Sequence, residues 1–302
     1  TQVSIITKSL TVGIIKYTNS SVVTDIVRGM KAELSIKGLI DGENIKYLEY
    51  SASGNPDLLP GFVDMLIAAK VDIIVPVSTP ASQAAVLRAP ENIPVIFTYV
   101  TDPESAGIIG VRKHVSGLSD ATNFKDFLAF VRQLLPQFTS HGHIYNPNES
   151  NSTFAYNQLH LLSGLYGFTI KSYPVNSGGD IMSAYTSLKM DNMKSILIVA
   201  DNTMSAGISV LSGLADNDNI AVIGDSYEHA RDGALAAISV DYDALSKSAG
   251  DMVLSVLLGM DPDNMPVQKF STDVISINTA TAGKIGFTFP QEIKDKAKYV
   301  FP

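Results

Sequence analysis

Short runs rich in β-branched and aromatic residues alternate along this chain with longer stretches whose apolar positions recur with a helical period. This alternation predicts parallel sheets covered by helices, in two similar α/β halves. The predicted strands are 11–15, 44–50, 71–77 and 93–100 in the first half, and 142–146, 168–175, 194–200, 220–225 and 234–239 in the second. Residues 112–120 lie between the halves and lack the composition of a long linker.

Polar residues and prolines mark several predicted helix ends. Helices are expected to begin near Ser20, Asn55 and Pro80. Asn55 and Thr79 are each followed by proline, which is typical of an N-cap residue before the first helical position. An apolar stripe over 124–135, stopped by a proline, predicts a further amphipathic helix.

The composition narrows the function classes. At 302 residues, of which 45% are hydrophobic and 17% charged, the chain is globular and long enough for two lobes with separate cores. A net charge of −8 without a Lys/Arg cluster excludes the positive surface that nucleic acids require. The absence of cysteine excludes disulfides, thiolate metal sites and cysteine nucleophiles. No apolar run reaches the roughly 18 residues of a membrane span.

A search for catalytic and cofactor motifs finds little. The glycine-rich dinucleotide and triphosphate loops and the GxSxG nucleophile elbow are missing. His141 and His143 form a pair without a third metal ligand at a recognisable spacing, and we interpret them as solvated loop histidines. Asp261 and Asp263 resemble the start of a calcium loop but lack its glycine and closing glutamate, so an ordinary helix-exit loop is favoured. We therefore expect no catalytic residue, metal or cofactor.

Polar loops follow most of the predicted strands, where open parallel sheets bind their ligands. Ser78 and Thr79 open a helix whose N-terminus would attract a ligand carboxylate, or Thr79 is simply the helix cap. Asp201 ends a strand and would either pair with a ligand ammonium or cap the next helix. Asn146 would either form a turn or offer its side chain as a hydrogen-bonding group to a ligand. Both interpretations of each residue stay open from spacing alone.

Aromatic residues and one acidic dipeptide occupy further loops at the same predicted edge. Tyr17, Tyr99 and Tyr227 would either sandwich an apolar or aromatic ligand group or serve packing alone. Asp225 ends the predicted strand 220–225 and Ser226 follows it, and a binding role and a structural role are balanced for them. Hydroxyls, amides and a few carboxylates suit reversible recognition of a small polar or zwitterionic ligand.

The order and spacing of four segments, 71–85, 93–110, 145–152 and 232–259, resemble the substrate-binding proteins of ABC transporters. The resemblance covers essentially the whole chain and is to the group that includes tryptophan-, tyrosine- and phenylalanine-binding members. It implies the α/β fold of type I periplasmic binding proteins, with two Rossmann-like lobes and parallel sheets joined by a three-crossing hinge. The implied lobes are 1–118 plus 243–269 and 119–242 plus 270–302.

The resemblance also implies a ligand site. In the first lobe the implied positions are Ser78, Thr79, Thr98 and the adjoining loop that contains Tyr99 and extends to Asp102. Tyr17 is added to the candidate ligand-binding residues from the argument on loop tyrosines. In the second lobe the implied positions are Asn146, Asp201, Asn202, Asp225 and Ser226. Asp225 departs from the Gly-Ser-type loop usual there and adds a negative charge, so the ligand of named relatives is not transferred directly.

The implied function is that of an extracytoplasmic solute-binding protein of an ABC importer. A monomer would capture an amino acid, Phe, Tyr or Trp, in the interlobe cleft by hinge closure and dock on a membrane permease. The expected location is the periplasm or the outer face of the cytoplasmic membrane, with lipid anchoring left open because the chain has no cysteine. The alternative is the effector-sensing domain of a regulator or receptor, although no helix-turn-helix segment precedes 11–15. An α/β enzyme ranks third.

Overall fold

The computed structural model describes residues 9–302 and divides the chain into two compact units. Unit 1 contains the described residues up to Ala121 together with Tyr242–Phe270, and unit 2 contains Thr122–Asp241 and Ser271–Pro302. The chain therefore crosses between the units after Ala121, Asp241 and Phe270, beside the sequence-based boundaries of 118, 242 and 269. The predicted start of the first lobe, residues 1–8, lies outside the described residues.

Unit 1 is a parallel sheet with helices. Numbered along the whole chain, its strands are β1 (Leu10–Lys16), β2 (Ile45–Ser51), β3 (Ile73–Val77), β4 (Val95–Val100), β5 (Val115–Ser119) and β11 (Gln268–Lys269). Its helices are α1 (Ser21–Ile36), α2 (Leu59–Ala68), α3 (Thr79–Arg88) and α10 (Tyr242–Leu257). The strand order is β11-β5-β4-β3-β1-β2, and every pair is parallel. All loops after these strands therefore leave from one edge of the sheet.

The helix starts in unit 1 follow the sequence with one correction. Asn55 is an N-cap as predicted, since its side chain accepts a hydrogen bond from the Asp57 backbone N at 3.0 Å, although a 3₁₀ turn precedes α2. The prediction that Thr79 caps α3 is wrong. Ser78 is the N-cap residue, because its φ of 87° and ψ of 160° are non-helical, and Thr79 is the first residue of the helix. Pro80 fits one position later because the first helical turn tolerates a missing N–H.

Residues 112–120 are not only a connection between halves. They contain β5, in which Gly117 lies so close to β4 that a Cβ there would stand 2.1 Å from the Phe97 carbonyl oxygen. Just before β5, the Arg112 guanidinium donates hydrogen bonds to the carbonyl oxygens of Ala89 (2.7 Å), Pro90 (3.0 Å) and Ile93 (2.8 Å). The segment thus closes the loop between α3 and β4 against the sheet.

Unit 2 has a larger and mixed sheet. Its strands are β6 (Ser140–Tyr145), β7 (Thr169–Pro174), β8 (Ser195–Ile198), β9 (Ala221–Gly224), β10 (Ala236–Val240), β12 (Thr272–Asn278) and β13 (Ala297–Phe301). Its helices are α4 (Phe124–Leu134), α5 (Ser150–Ser163), α6 (Ile181–Met190), α7 (Asn202–Ala206), α8 (Ile208–Asn217), α9 (Tyr227–Arg231), α11 (Thr279–Lys284) and α12 (Gln291–Lys296). The strand order is β13-β12-β10-β9-β8-β6-β7, and β12 runs antiparallel to β10.

Two apolar clusters build the core of unit 2. The predicted stripe of α4 is confirmed, because Phe127, Leu128 and Val131 are fully buried in one cluster. Asn123 caps this helix, accepting hydrogen bonds from the backbone N of Lys125 (3.1 Å) and of Asp126 (3.4 Å). The other cluster gathers side chains of α6 and α8 against β6, β8 and β9. Burial of each such large apolar side chain contributes about 2 kcal/mol.

The prediction that His141 and His143 are solvated loop histidines is wrong. Both lie in β6 and are 0% exposed. His141 Nδ1 is 2.6 Å from Ser195 Oγ, and His143 Nδ1 is 3.2 Å from Ser172 Oγ. Burial lowers the pKa of His141 to about 4 and that of His143 to about 3, so both rings are neutral near pH 7. Separately, none of the helices within residues 9–302 is long and apolar enough to cross a membrane.

Candidate functional site

The predicted site residues of the first lobe lie at the carboxyl edge of the unit 1 sheet. Tyr17 follows β1, Ser78 and Thr79 follow β3, and Thr98 belongs to the last residues of β4. Strands β3 and β4 are neighbours in parallel register, and the Ser78 backbone N donates a 2.9 Å hydrogen bond to the Thr98 carbonyl oxygen. The fold therefore brings two predicted residues that are far apart in sequence into direct contact.

The hydroxyls of Ser78 and Thr98 are buried donors without a partner. Ser78 is 1% exposed and Thr98 is 0% exposed, and neither Ser78 Oγ nor Thr98 Oγ1 has a hydrogen-bond partner within residues 9–302. Ser78 also holds backbone angles that non-glycine residues almost never adopt, which costs about 1–3 kcal/mol. The N-terminus of α3, which no side chain caps, begins at the same point. Strain and unpaired donors at one edge are typical of a ligand site.

Three further predicted residues of unit 1 have defined surroundings. Tyr17 is buried in the apolar cluster of this unit. Tyr99 is half-buried and packs edge-to-face on Tyr242, with ring centroids 5.8 Å apart. Asp102 Oδ1 accepts hydrogen bonds from the backbone N of Glu104 (3.2 Å) and Ser105 (3.3 Å), so this carboxylate organises a turn. Sequence reasoning missed Tyr242, which reaches Tyr99 only because α10 packs into unit 1.

The predicted residues of the second lobe lie at the carboxyl edge of the unit 2 sheet. Asn146 directly follows β6, Asp201 and Asn202 come after β8, and Asp225 and Ser226 follow β9. These three strands are consecutive in the sheet, which brings the loops together. All five residues are buried.

Asp201 has the structural role that the sequence left open. It is the N-cap of α7, and its Oδ1 accepts a hydrogen bond from the Met204 backbone N at 2.8 Å. Its Oδ2 accepts from the Asn146 backbone N and from Ser152 Oγ, both at 2.6 Å. This carboxylate therefore ties the loop after β6 to the loop after β8.

Glu149, which sequence reasoning did not single out, lies at the centre of this edge. It is 4% exposed. Its Oε2 accepts hydrogen bonds from Asn202 N (3.0 Å) and Nδ2 (2.7 Å), and its Oε1 accepts from Thr203 N (3.0 Å) and Oγ1 (2.6 Å). Glu149 and Asp201 together satisfy the first backbone N–H groups of α7. The only sequence signal was its place in a polar loop, which does not distinguish a buried carboxylate from a solvated one.

The two carboxylates have no counter-charge. No lysine, arginine or histidine of residues 9–302 forms an ion pair with Glu149 or Asp201. Burial and the neighbouring Glu149 carboxylate raise the pKa of Asp201 to about 7, against the effect of its hydrogen-bond donors. A cation bound at this edge of unit 2 would lower the pKa of Asp201 again and stabilise its ionised form beside the buried Glu149.

Asp225 adds a third buried carboxylate. Its Oδ2 accepts hydrogen bonds from Thr122 Oγ1 (2.8 Å) and Ala200 N (2.9 Å), and burial raises its pKa to about 6. Its neighbour Ser226 has a buried hydroxyl without a hydrogen-bond partner in the described chain.

Asp225 also lies near a buried histidine and serine in an arrangement like a catalytic triad. His229 Nε2 is 2.8 Å from Ser205 Oγ, but His229 Nδ1 is 3.7 Å from Asp225 Oδ1, too far for a hydrogen bond. Burial lowers the pKa of His229 to about 4. The ring is therefore neither oriented by the carboxylate nor basic enough near pH 7 to activate the serine.

The residues compared with a calcium loop belong to a different cluster in unit 1. Asp261 caps a 3₁₀ turn by accepting a hydrogen bond from Asp263 N at 3.0 Å. His114 Nδ1 is 2.7 Å from Asp261 Oδ1, and His114 N donates to Asp263 Oδ1 at 2.6 Å. The three side chains place one potential metal-ligating atom each within 4.8 Å of one another. Their mutual hydrogen bonds join the start of β5 to the loop after α10.

Comparison with known proteins agrees with these observations. Residues 11–301 match the sequence profile of a family described as ABC transporter substrate binding protein. A relative named tyrosine-binding protein, from Clostridioides difficile (strain R20291), is 30% identical over 258 residues, which are 84% of this chain and 74% of the relative.

Two solved structures have nearly the same fold. A conserved domain protein from Vibrio cholerae superposes with a TM-score of 0.92 at 26% identity, covering 97% of this chain and 100% of that one. An ABC domain from Streptococcus pneumoniae in complex with L-Trp superposes with a TM-score of 0.91 at 24% identity and the same coverage.

These likenesses settle the class of the protein. The two mainly parallel sheets and the structural neighbours identify the predicted α/β fold of type I periplasmic binding proteins. The matched family is defined by binding the substrate of a transporter and not by a reaction, in keeping with the expectation that the chain is not an enzyme. This chain belongs to the family of ABC transporter substrate-binding proteins.

Proposed function

We infer that this protein binds an aromatic amino acid, with tyrosine as the first candidate, as the substrate of an ABC importer. The observation that carries the proposal is the opposite polarity of the two loop edges. Among residues 9–302, unit 1 offers hydroxyl donors without a hydrogen-bond partner at Ser78 and Thr98, whereas unit 2 offers buried carboxyl groups without a positively charged partner at Glu149 and Asp201. An α-amino acid carries the complementary carboxylate and ammonium.

The ligand carboxylate is assigned to unit 1. The uncapped N-terminus of α3, at Thr79, has backbone N–H groups and a positive dipole end that favour an anion. The hydroxyls of Ser78 and Thr98 would donate to the same group, which explains why the fold keeps them buried without a partner.

The ligand ammonium is assigned to unit 2. Asp201 Oδ1 accepts one hydrogen bond within the described chain, and a carboxylate oxygen has room for a second. The amide groups of Asn146 and Asn202 and the loop of Asp225 and Ser226 complete the proposed polar contacts. A positive group here would balance the buried negative charge.

The aromatic character of the ligand rests on two points. The relative from Clostridioides difficile is named for binding tyrosine. In this chain Tyr17 and Tyr99 lie at the edge that carries Ser78, and Tyr99 and Tyr242 already form an aromatic pair to which a third ring can add. We further propose that the protein works outside the cytoplasm and delivers its ligand to a membrane permease, which its family supports. That it does so as a monomer stays a prediction. Hinge closure on the ligand stays a prediction.

Calorimetric titration of the refolded, ligand-stripped protein tests this function. Tyrosine, phenylalanine and tryptophan are compared with tyramine, which lacks the carboxylate, and with 3-(4-hydroxyphenyl)propanoate, which lacks the ammonium. We expect an aromatic amino acid to bind at least about tenfold more tightly than either analogue. Binding of a sugar or purine alone, or equal binding of tyrosine and tyramine, would refute the proposal.

A further inference from the structure

Glu149 draws the donors of three asparagine side chains toward itself. Asn202 Nδ2 donates to Glu149 Oε2 at 2.7 Å, Asn151 Nδ2 approaches the same oxygen at 3.4 Å, and Asn146 Nδ2 is 3.5 Å from Oε1. The Thr203 hydroxyl also donates to Oε1 and accepts from Asn146 Nδ2 at 2.9 Å. An ionised carboxylate accepts hydrogen bonds and donates none, so the amide of Asn202 must turn its nitrogen toward Glu149. The Asn151 amide is oriented by the Ala200 carbonyl oxygen as well, to which its Nδ2 donates at 2.6 Å.

In this orientation, side-chain amide oxygens of the asparagines stay available as hydrogen-bond acceptors. Asn151 Oδ1 is buried and has no hydrogen-bond partner in the described chain. Asn202 Oδ1 likewise accepts no hydrogen bond from residues 9–302, whereas Asn146 Oδ1 is used by the Asn148 backbone N at 2.9 Å. The loop edge of unit 2 therefore combines oriented acceptor dipoles with the buried carboxyl groups of Glu149 and Asp201.

We propose that Glu149 is the positioning residue for ammonium recognition: it fixes the amide of Asn202 with its oxygen available to the ligand and supplies the charge that makes a cation favourable there. The inference rests on the proposed function, since it names the part of the site that reads the ammonium. Glu149 itself uses both oxygens for protein donors. It therefore acts through Asn202 and through its charge, without touching the ligand.

The substitution Glu149→Gln tests this role, because glutamine keeps the size but has one acceptor oxygen and a donor nitrogen. The new NH₂ group would oppose the donors of Asn202 or Thr203, so an amide must flip, and the negative charge is lost. We expect the preference for tyrosine over 3-(4-hydroxyphenyl)propanoate to fall at least about fivefold. Affinity for the analogue without the ammonium should change by less than about twofold. Glu149→Asp, which keeps the charge, should restore part of the preference.

A matched variant separates positioning from simple destabilisation. Asn278→Ala removes another buried cap of unit 2, since Asn278 Oδ1 accepts from Thr281 N at 2.8 Å and Nδ2 donates to the Ala230 carbonyl at 2.8 Å. Asn278 ends the antiparallel strand β12 and so lies at the opposite edge of the sheet. Asn278→Ala should lower the melting temperature and leave the preference for tyrosine over 3-(4-hydroxyphenyl)propanoate unchanged.

The outcomes are distinct. If Glu149→Gln lowers the affinity for tyrosine and for 3-(4-hydroxyphenyl)propanoate by the same factor, or lowers neither affinity, the positioning role of Glu149 is overturned. Glu149 is then only structural, and the proposed binding of an amino acid still stands. If the wild-type protein binds no amino acid or shows no preference over the desamino analogue, the proposed function and the role of Glu149 fail together.

Discussion

The Ser78 backbone N donates a 2.9 Å hydrogen bond to the Thr98 carbonyl oxygen, while the hydroxyls of both residues are buried without a hydrogen-bond partner in the described part of the chain. The backbone hydrogen bond thus fixes the positions of two hydroxyl groups that do not hydrogen-bond to each other. A buried polar group without a partner costs about 1–3 kcal/mol. The fold tolerates this cost at the end of β3 and β4, where a ligand would supply the missing acceptors.

Thr98→Val should separate stability from binding. Valine keeps the shape of threonine and removes the unpaired hydroxyl, so we expect unchanged or higher stability of the empty protein and about fivefold weaker binding of tyrosine. Denaturant unfolding and calorimetric titration measure the two quantities. Ser276→Ala is the control, because Ser276 Oγ is also buried without a partner but lies in the middle of β12. Equal tyrosine affinity in Thr98→Val and wild type would remove Thr98 from the site.

Asp201→Asn should lower both the stability of the empty protein and its affinity for tyrosine. The two carboxylate oxygens each accept a backbone N–H, from Asn146 and from Met204, so the amide nitrogen of asparagine must face one of these donors. We expect the free energy of unfolding to fall by about 1–3 kcal/mol and tyrosine affinity to fall by about tenfold or more. Asp261→Asn, at a partly exposed cap in unit 1, should change the free energy of unfolding by less than about 1 kcal/mol and leave the affinity for tyrosine unaltered. Wild-type affinity in Asp201→Asn would contradict the ammonium assignment.

His143 should make unit 2 sensitive to acid. Burial lowers its pKa in the folded protein to about 3 from 6.5, so the unfolded chain takes up a proton first as the pH falls. Stability is therefore fully present above pH 6.5 and is lost below it, by about 1.4 kcal/mol per pH unit. Between pH 7 and pH 5, the free energy of unfolding of wild type should fall by about 2 kcal/mol more than that of His143→Phe.

Urea unfolding at the two pH values measures this difference. The comparison with His143→Phe is needed because Asp201 and Asp225, whose pKa values are raised, contribute with the opposite sign and are present in both proteins. Phenylalanine preserves the stacking of the ring on Tyr145, whose centroid is 5.3 Å away. Parallel pH profiles of the two proteins would show that His143 does not cause the acid sensitivity.

Arg112 should matter for stability far more than a surface arginine does. Arg112→Ala removes the side-chain donor from the carbonyl oxygens of Ala89, Pro90 and Ile93, of which that of Pro90 keeps the Ile93 backbone N at 3.0 Å, and we expect the free energy of unfolding to fall by about 2–4 kcal/mol. Arg88 pairs with Asp64, and both side chains are about half exposed, so Arg88→Ala should cost less than about 1 kcal/mol. Urea unfolding of both variants provides the test. Equal losses of stability would show that the hydrogen bonds from Arg112 to the three carbonyl oxygens stabilise the protein no more than the exposed ion pair does.

The sequence predicted the parallel core well because its signals are local. Strand 71–77 and the proline-marked helix after it correspond to β3 and α3, and the stripe over 124–135 corresponds to α4. The strands β12 and β13 were not predicted. They join the unit 2 sheet only after the chain has passed through α10 of unit 1, and no local period reports such long-range pairing. His141 and His143 were misjudged because polarity suggested solvent, whereas serine hydroxyls pair with both rings inside the protein.

The candidate site was predictable to the level of loops. Ser78, Asn146 and Asp201 could be located because each follows a recognisable strand of a parallel sheet. The role of Glu149 could not be foreseen, since its partners Asn202 and Thr203 are more than fifty positions away along the chain. Only the adjacency of β6 and β8 in the sheet makes them neighbours.

Because the chain crosses between the units after Ala121, Asp241 and Phe270, its last fifth contributes residues to both units. A nascent chain that ends at Asp241 lacks α10 and β11 of unit 1 and β12 and β13 of unit 2. The unit 1 sheet cannot be completed until Lys269 has been synthesised, and the unit 2 sheet cannot be completed until Phe301 has been synthesised. The first half of the chain therefore cannot complete its own sheet before most of the second half exists, although its other strands are synthesised first.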